Sequence, residues 1–148
     1  VDFVFSCPPY FDLEVYGDME ADLSNSESYE DFIAGYRDVI SEACSRLKDN
    51  RFACFVVGDI RDSGGAYRGF VGDTVRAFED AGLVSYNDCV LITPVGTVAL
   101  RAAKPFVTSR KIAKAHQNVL VFCKGDPVKA AEWCGDCEFG DEEDATVV

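Results

Sequence analysis

Phe52-Ala53-Cys54-Phe55-Val56-Val57 is an unbroken apolar run between the polar Asp49-Asn50-Arg51 and Gly58. Its length and its Val and Phe content suit a β-strand, and the lack of polar alternation suits one covered on both faces. Helical patterns flank it. Upstream, Ser28 followed by Asp31 gives a capping-box-like start. Phe32, Ile33, Tyr36, Val39, Ile40, Ala43, Cys44 and Leu47 then recur at helical spacing on one face, to about Lys48. Downstream, a glycine-rich loop from Gly58 to Gly69 leads into a second amphipathic helix over 70–81, closed by Gly82. Its inner face is Phe70, Val71, Thr74, Val75, Phe78 and Ala81.

Working outward, Val1–Ser6 (VDFVFS) reads as a buried strand halted at Cys7-Pro8-Pro9, where proline removes the ladder donor. Residues 11–27 are polar and acidic and read as a loop. Tyr86–Thr93 is the next strand, a long basic loop follows, and Asn118–Cys123 is the last apolar strand. Residues 128–148 read as a short helix, with Trp133 as a packing anchor, and an acidic tail. The sum is an α/β chain ordered β-α-β-α-β-β, with parallel pairing early and a last strand that is antiparallel. Four strands make half of a doubly wound sheet. The first strand begins at Val1 without an upstream turn, so a preceding N-terminal segment is expected.

The 148 residues suit one domain and a real core. No apolar run approaches the ~20 residues that cross a bilayer, and no secretory leader is evident. Seven cysteines, three of them inside apolar strand-like runs, fit free thiols in a reducing cytoplasm. Cys134-Gly135-Asp136-Cys137 is a lone C-x-x-C without a second pair, so no metal site is expected. The net charge of −12 comes from 26 acidic and 14 basic residues and, taken alone, argues against a DNA binder, because phosphate contacts need Lys and Arg. The charge is uneven, however. Residues 101–116 hold Arg101, Lys104, Arg110, Lys111, Lys114 and His116 and no acid, which suits phosphate contacts on a locally basic loop.

Function in an open α/β sheet gathers beyond the carboxyl ends of the strands, which is where Ser6-Cys7-Pro8-Pro9-Tyr10 stands. These residues resemble the catalytic motif of the N4-cytosine and N6-adenine DNA amino-methyltransferases. Asn50-Arg51-Phe52 to Asp59 and His116-Gln117-Asn118-Val119-Leu120-Val121-Phe122 resemble the phage and prophage DNA modification methylases. The likeness covers residues 1–127. It implies a partial Rossmann-like methyltransferase fold whose cofactor-binding strands lie N-terminal to Val1. It implies S-adenosylmethionine as cofactor, DNA as substrate and a place in restriction-modification chemistry.

By the same resemblance, a flipped base would lie against Tyr10, with its exocyclic amine held by the Pro8 carbonyl and by the residue at Cys7 or Ser6. The two prolines, Pro8 and Pro9, stiffen the loop before substrate arrives. The family carries Asp, Asn or Ser where Cys7 stands, and a thiol is a weaker acceptor. Asp59 and Arg61, in the Gly58–Gly69 loop, are placed at the cleft edge, possible contacts to the cofactor; that loop lacks the G-x-G-x-x-G spacing. The DNA-facing set is Arg101, Lys104, Arg110, Lys111 and Lys114. Two alternatives stay open: a non-catalytic half-domain needing a partner segment, and amino-methyl transfer to RNA or to a protein amide.

Overall fold

The computed structural model describes residues 1–11, 17, 22–93, 96 and 98–136, without the side chains of 99–101. Strand β1 (Phe3–Ser6) is followed by a 3-10 turn (Leu23–Asn25), helix α1 (Tyr29–Arg46), strand β2 (Arg51–Val57) and helix α2 (Phe70–Asp80). Strand β3 (Leu83–Ile92), helix α3 (Val98–Ser109), strand β4 (His116–Lys124) and helix α4 (Pro127–Cys134) complete it.

The strand order is β1-β2-β4-β3. β1 pairs with β2 in parallel, Ser6 opposite Phe55. β4 pairs antiparallel with β2, Val57 opposite Asn118, and antiparallel with β3, Ile92 opposite His116. The last strand is therefore antiparallel, as the pattern implied, but it threads between β2 and β3 and leaves β3 at the edge. β3 starts three residues before the expected Tyr86, and a register shift between Ser85 and Asn87 breaks the alternation that would have revealed its start. β4 extends beyond Asn118–Cys123 at both ends because polar His116, Gln117 and Lys124 also join the ladder.

The local chemistry explains the helices. Ser28 caps α1, its hydroxyl accepting from the Asp31 N–H at 3.1 Å. At the other end, Lys124 Nζ donates to the Cys44 and Leu47 carbonyls at 2.8 and 2.7 Å. A cation thus satisfies the carbonyls that a helix C-terminus leaves open. Gly82 at φ 86 turns the chain out of α2. Asp126 caps α4, with Pro127 at its first turn.

Two sequence expectations are corrected. The segment 101–116 is not one loop, since α3 occupies Val98–Ser109 and carries Pro105 inside it. Proline mid-helix and a basic, mixed pattern both read as non-helical from sequence. Val39, placed on the inner face of α1, is 53% exposed, while Phe32, Tyr36, Ile40, Cys44 and Leu47 are buried. The apolar stripe is narrower than the run of apolar letters. Residues 12–16, 18–21 and the acidic stretch from 137 fall outside the described residues.

The core lies on one face of the sheet. Ala53, Phe55 and Val57 of β2 and Leu120 and Phe122 of β4 point into α1 and α2. Phe78 stacks on Phe122 at 4.0 Å and meets Phe55 edge-on at 4.8 Å. Inside this cluster the Tyr36 hydroxyl lies 3.3 Å from Thr74 Oγ1, which donates to the Phe70 carbonyl. Both polar groups are thereby satisfied in an apolar setting.

The opposite face is covered in part, with Cys54, Val56 and Cys123 buried there along with Ala130 of α4, and open on its β1 side. Phe3 and Phe5 are 54% and 61% exposed, against the expectation of a buried first strand. Phe52 packs there on Tyr86 at 5.1 Å. Trp133, expected as a packing anchor, is half exposed and carries the Arg51 guanidinium 3.5 Å above its ring. Among the described residues no helix is long and apolar enough to cross a membrane.

Phe78 touches both sheet strands at the centre of the core. Phe78→Ala is expected to cost about 3–5 kcal/mol, read as a fall in urea midpoint at unchanged slope. A surface substitution such as Val39→Ala is expected to stay within about 0.5 kcal/mol.

Candidate active site

The topology brings three chain segments to one end of the sheet. β1 and β2 are parallel, so residues 7–10 and 58–60 leave the sheet at the same end. β4 runs the other way beside β2, so its first residues, His116 and Gln117, enter there. Gln117 Nε2 donates to Tyr10 Oη at 2.8 Å and joins two of these segments across 107 positions of sequence.

Tyr10 is braced twice. Its ring meets the fully buried Phe70 edge-to-face at 5.8 Å, and its hydroxyl is held by Gln117. Gly58 sits between these partners. A β-carbon there would lie 3.8 Å from Gln117 Cγ and 3.9 Å from Tyr10 Oη, at ordinary contact distance from both. Around them is a cavity of about 360 Å³ lined by Tyr10, Gly58, Asp59, Ile60, Thr93, Lys114, His116 and Gln117.

The other motif residues are not among those that line this cavity. Pro8 is buried, Ser6 and Pro9 are half-buried, and Cys7 is exposed. Burial pushes the Cys54 thiol up, the nearby Cys89 and Cys7 thiols adding to it. The Cys44 thiol is pushed by burial to about 11, with the Lys124 ammonium opposing.

The glycine-rich loop is folded on itself. Arg61 and Tyr67 form a bridge, the Asp62 N–H donates to the Ala66 carbonyl at 2.9 Å, and Asp62 Oδ1 accepts from the Ala66 N–H at 2.9 Å. Gly65 makes the tip at φ 94, a conformation glycine takes freely. Asp59 Oδ1 accepts from the Val71 N–H at 3.2 Å, near the start of α2. Arg61 donates to the Gly65 carbonyl at 2.7 Å and lies 3.8 Å over the Tyr67 ring. The amides of Asp62, Gly65, Ala66 and Arg68 are thus bonded within the loop itself.

A second cavity, of about 670 Å³, adjoins the first and shares Asp59, Lys114 and His116 with it. Arg61, Tyr67, Arg110 and Ile112 also line it. Of the cationic set read from sequence, Arg110 and Lys114 face this cavity, and Lys111 reaches the hairpin tip, where a β-carbon on Gly65 would sit 2.8 Å from its Cε. Lys104 stands exposed on α3, away from both cavities, and the side chain of Arg101 lies outside the described residues. Gln117 received no role from sequence. A polar residue early in a strand carries no signal until its cross-strand partner is known.

No protein-family model matches the chain, and no curated protein sequence does. Three crystal structures of one Thermus thermophilus protein, TTHA0409, provisionally assigned as a DNA modification methylase, share its fold. The selenomethionine form superposes with a TM-score of 0.61 at 18% identity, over 96% of this chain and 49% of that one. The native form gives 0.61 at 19%, over 96% and 50%. The form complexed with S-adenosyl-L-methionine gives 0.59 at 18%, over 96% and 52%. This chain therefore shares the α/β fold of part of that protein and spans about half the length of the solved structures it matches.

Thiol labelling tests the geometry of the loop. Because the thiolate is the reactive species, iodoacetamide at pH 8 is expected to modify exposed Cys7 and to leave buried Cys44 unmodified, read by peptide mass spectrometry. Modification of Cys44 at the rate of Cys7 would contradict the packing described.

Proposed function

We propose that this chain is the acceptor-base half of an S-adenosylmethionine-dependent DNA amino-methyltransferase of the phage modification type, acting on adenine N6 or cytosine N4. The observation that carries the reading is Tyr10, in a Ser-Cys-Pro-Pro-Tyr loop, braced beside a cavity at the strand ends of a fold shared with a DNA modification methylase. The cavity exceeds the volume of one nucleobase, and an aromatic wall suits a base taken out of the stack. DNA is accordingly proposed as substrate and the cytoplasm as its setting.

The cofactor supplies an electrophilic methyl group on a sulfonium. This chain's residues act on the acceptor. An exocyclic amine is a poor nucleophile because its lone pair is delocalised into the ring. A carbonyl acceptor at Pro8 and a second acceptor at Ser6 or Cys7 would draw on its two N–H bonds and localise that lone pair. Tyr10 would stack on the ring, and Pro8 and Pro9 keep the acceptors from having to reorganise. Asp59 and Arg61 stand at the edge of the cleft, where they would order the active site.

The Gly58–Gly69 loop lacks the G-x-G-x-x-G spacing of a cofactor-binding loop. We therefore place the cofactor site in a remaining segment, N-terminal to residue 1 as the sequence resemblance implies. The exposed Phe3 and Phe5 and the outer edge of β1, which pairs only with β2 among the described residues, are the surface proposed to receive it. Residues 1–127 form the acceptor half in this reading, and 128–148 an appended helix and tail.

Two measurements test the proposal. Calorimetry with S-adenosylmethionine is expected to show binding when the remaining half is supplied and none with this chain alone. Absence of binding in both preparations would favour a non-catalytic half-domain. In the completed enzyme, Tyr10→Ala is expected to lower methyl transfer to DNA by about a hundredfold or more, while Cys7→Asp, which restores a strong acceptor at an exposed position, raises it. Full activity in Tyr10→Ala, or label appearing in RNA or protein but not DNA, would sink the DNA reading.

A further inference from the structure

The larger cavity holds cations that no ion pair takes among the described residues. Among the described residues the ion pairs join Arg37 to Asp80, Arg46 to Glu42, Lys48 and Arg51 to Asp2, Arg76 to Asp73, and Lys129 to Asp126. None takes Arg61, Arg110 or Lys114, although the chain has 26 acidic residues against 14 basic ones. The one carboxylate at the cavity, Asp59, accepts from a backbone N–H of α2. An acidic protein that leaves these cations facing a shared cleft provides a local site for an anion.

The cations sit on two opposed pieces of chain. Arg61 belongs to the 61–67 hairpin, and its guanidinium is held before any ligand arrives by the Gly65 carbonyl and by the Tyr67 ring. Lys114 and Arg110 come from the extended segment that leads from α3 into β4. Arg110 is at φ 56 and donates to the Phe106 and Val107 carbonyls at 3.2 and 3.3 Å, which fixes it at the end of α3. Lys111, also on that segment, lies against the hairpin tip and joins the two pieces at one end of the cleft. Lys114 lines both cavities, so an anion beside it is also beside the Tyr10 cavity.

We infer that Arg61 and Lys114, with Arg110 at the rim, clamp a backbone phosphate of the DNA strand next to the nucleotide whose base enters the Tyr10 cavity. The inference rests on the acceptor-base reading above and adds Arg61 to the nucleic-acid side of the cleft. A phosphodiester fits the chemistry because it is a fixed anion one sugar away from its base, matching two adjoining cavities that share Lys114 and His116. The clamp reads no sequence. It holds the strand in register while the base is out of the duplex.

The test is the salt dependence of DNA binding, measured by fluorescence anisotropy with a labelled single-stranded DNA oligonucleotide and no cofactor. Each phosphate contact contributes about 0.7 to the slope of log K against log salt on a single strand. Lys114→Gln and Arg61→Gln are each expected to reduce the slope by about that amount and to weaken binding at low salt, with the thermal midpoint unchanged. Arg61→Lys, which keeps the charge, separates lost charge from a disturbed hairpin and is expected to retain the slope. Lys129→Gln, on α4 away from the cleft, is expected to change nothing. An unchanged slope in the Arg61→Gln/Lys114→Gln double variant overturns the clamp, as does a wild-type protein that binds no DNA at low salt or that prefers RNA of the same sequence. If the slopes fall as expected and the completed enzyme methylates nothing, the clamp stands and the methyl-transfer reading fails.

Discussion

β2 is hydrogen-bonded on both edges, to β1 in parallel and to β4 in antiparallel register. This double pairing positions everything at the cleft. A parallel partner sends residues 7–10 out beside Gly58, and an antiparallel partner delivers Gln117 to the same spot. A slip of one residue along β4 would turn Gln117 to the other face and leave Tyr10 Oη without that bond. The slip is resisted far from the cleft. Leu120 and Phe122 would leave the core, and Lys124 would lose the α1 carbonyls it caps. Apolar burial at one end of β4 thus fixes a polar contact at the other.

The same arrangement sorts the charges. Acidic residues in the described part are mostly paired, used as helix caps or left on the outer surface, as with Asp31, Asp126 and Asp73. The cleft receives Arg61 from one side and Arg110 and Lys114 from the other. A net charge of −12 therefore says little about the potential where a polyanion would approach. In the proposed reading the overall acidity and the local cation cluster act together: the body would repel nucleic acid broadly and leave the cleft as the place of approach.

What the sequence disclosed, and what it hid, follows from the range of the interactions. The Ser28 cap, the phase of α1 and α2 and the apolar run of β2 depend on neighbours within about four residues, and they stand where the pattern puts them. The motif at Ser6–Tyr10 was legible as a rigid loop at a strand end. The place of β4 between β2 and β3 was not, because strand order is a tertiary choice between faces of similar chemistry. α3 was hidden by Pro105 and by its basic residues. Gln117 was hidden because its partner lies 107 residues away. The Arg61 hairpin was hidden for a related reason: glycines that suggest a phosphate cradle serve here to close a short turn around Asp62.

The two faces of the sheet divide the labour of the fold. The face under α1 and α2 is self-sufficient, with a stacked aromatic core and satisfied polar groups. The other face exposes Phe3, Phe5 and Tyr86 around an apolar cavity of about 260 Å³. Exposed aromatic surface on this scale is characteristic of an interaction surface. Both supports of Tyr10, Phe70 and Gln117, belong to this chain, and Phe70 lies in the covered core. In the proposed reading a segment docking on the open face need supply neither of these supports. Its binding free energy remains available for what this chain lacks in the proposed reading, a held cofactor aimed at the ring that Tyr10 supports.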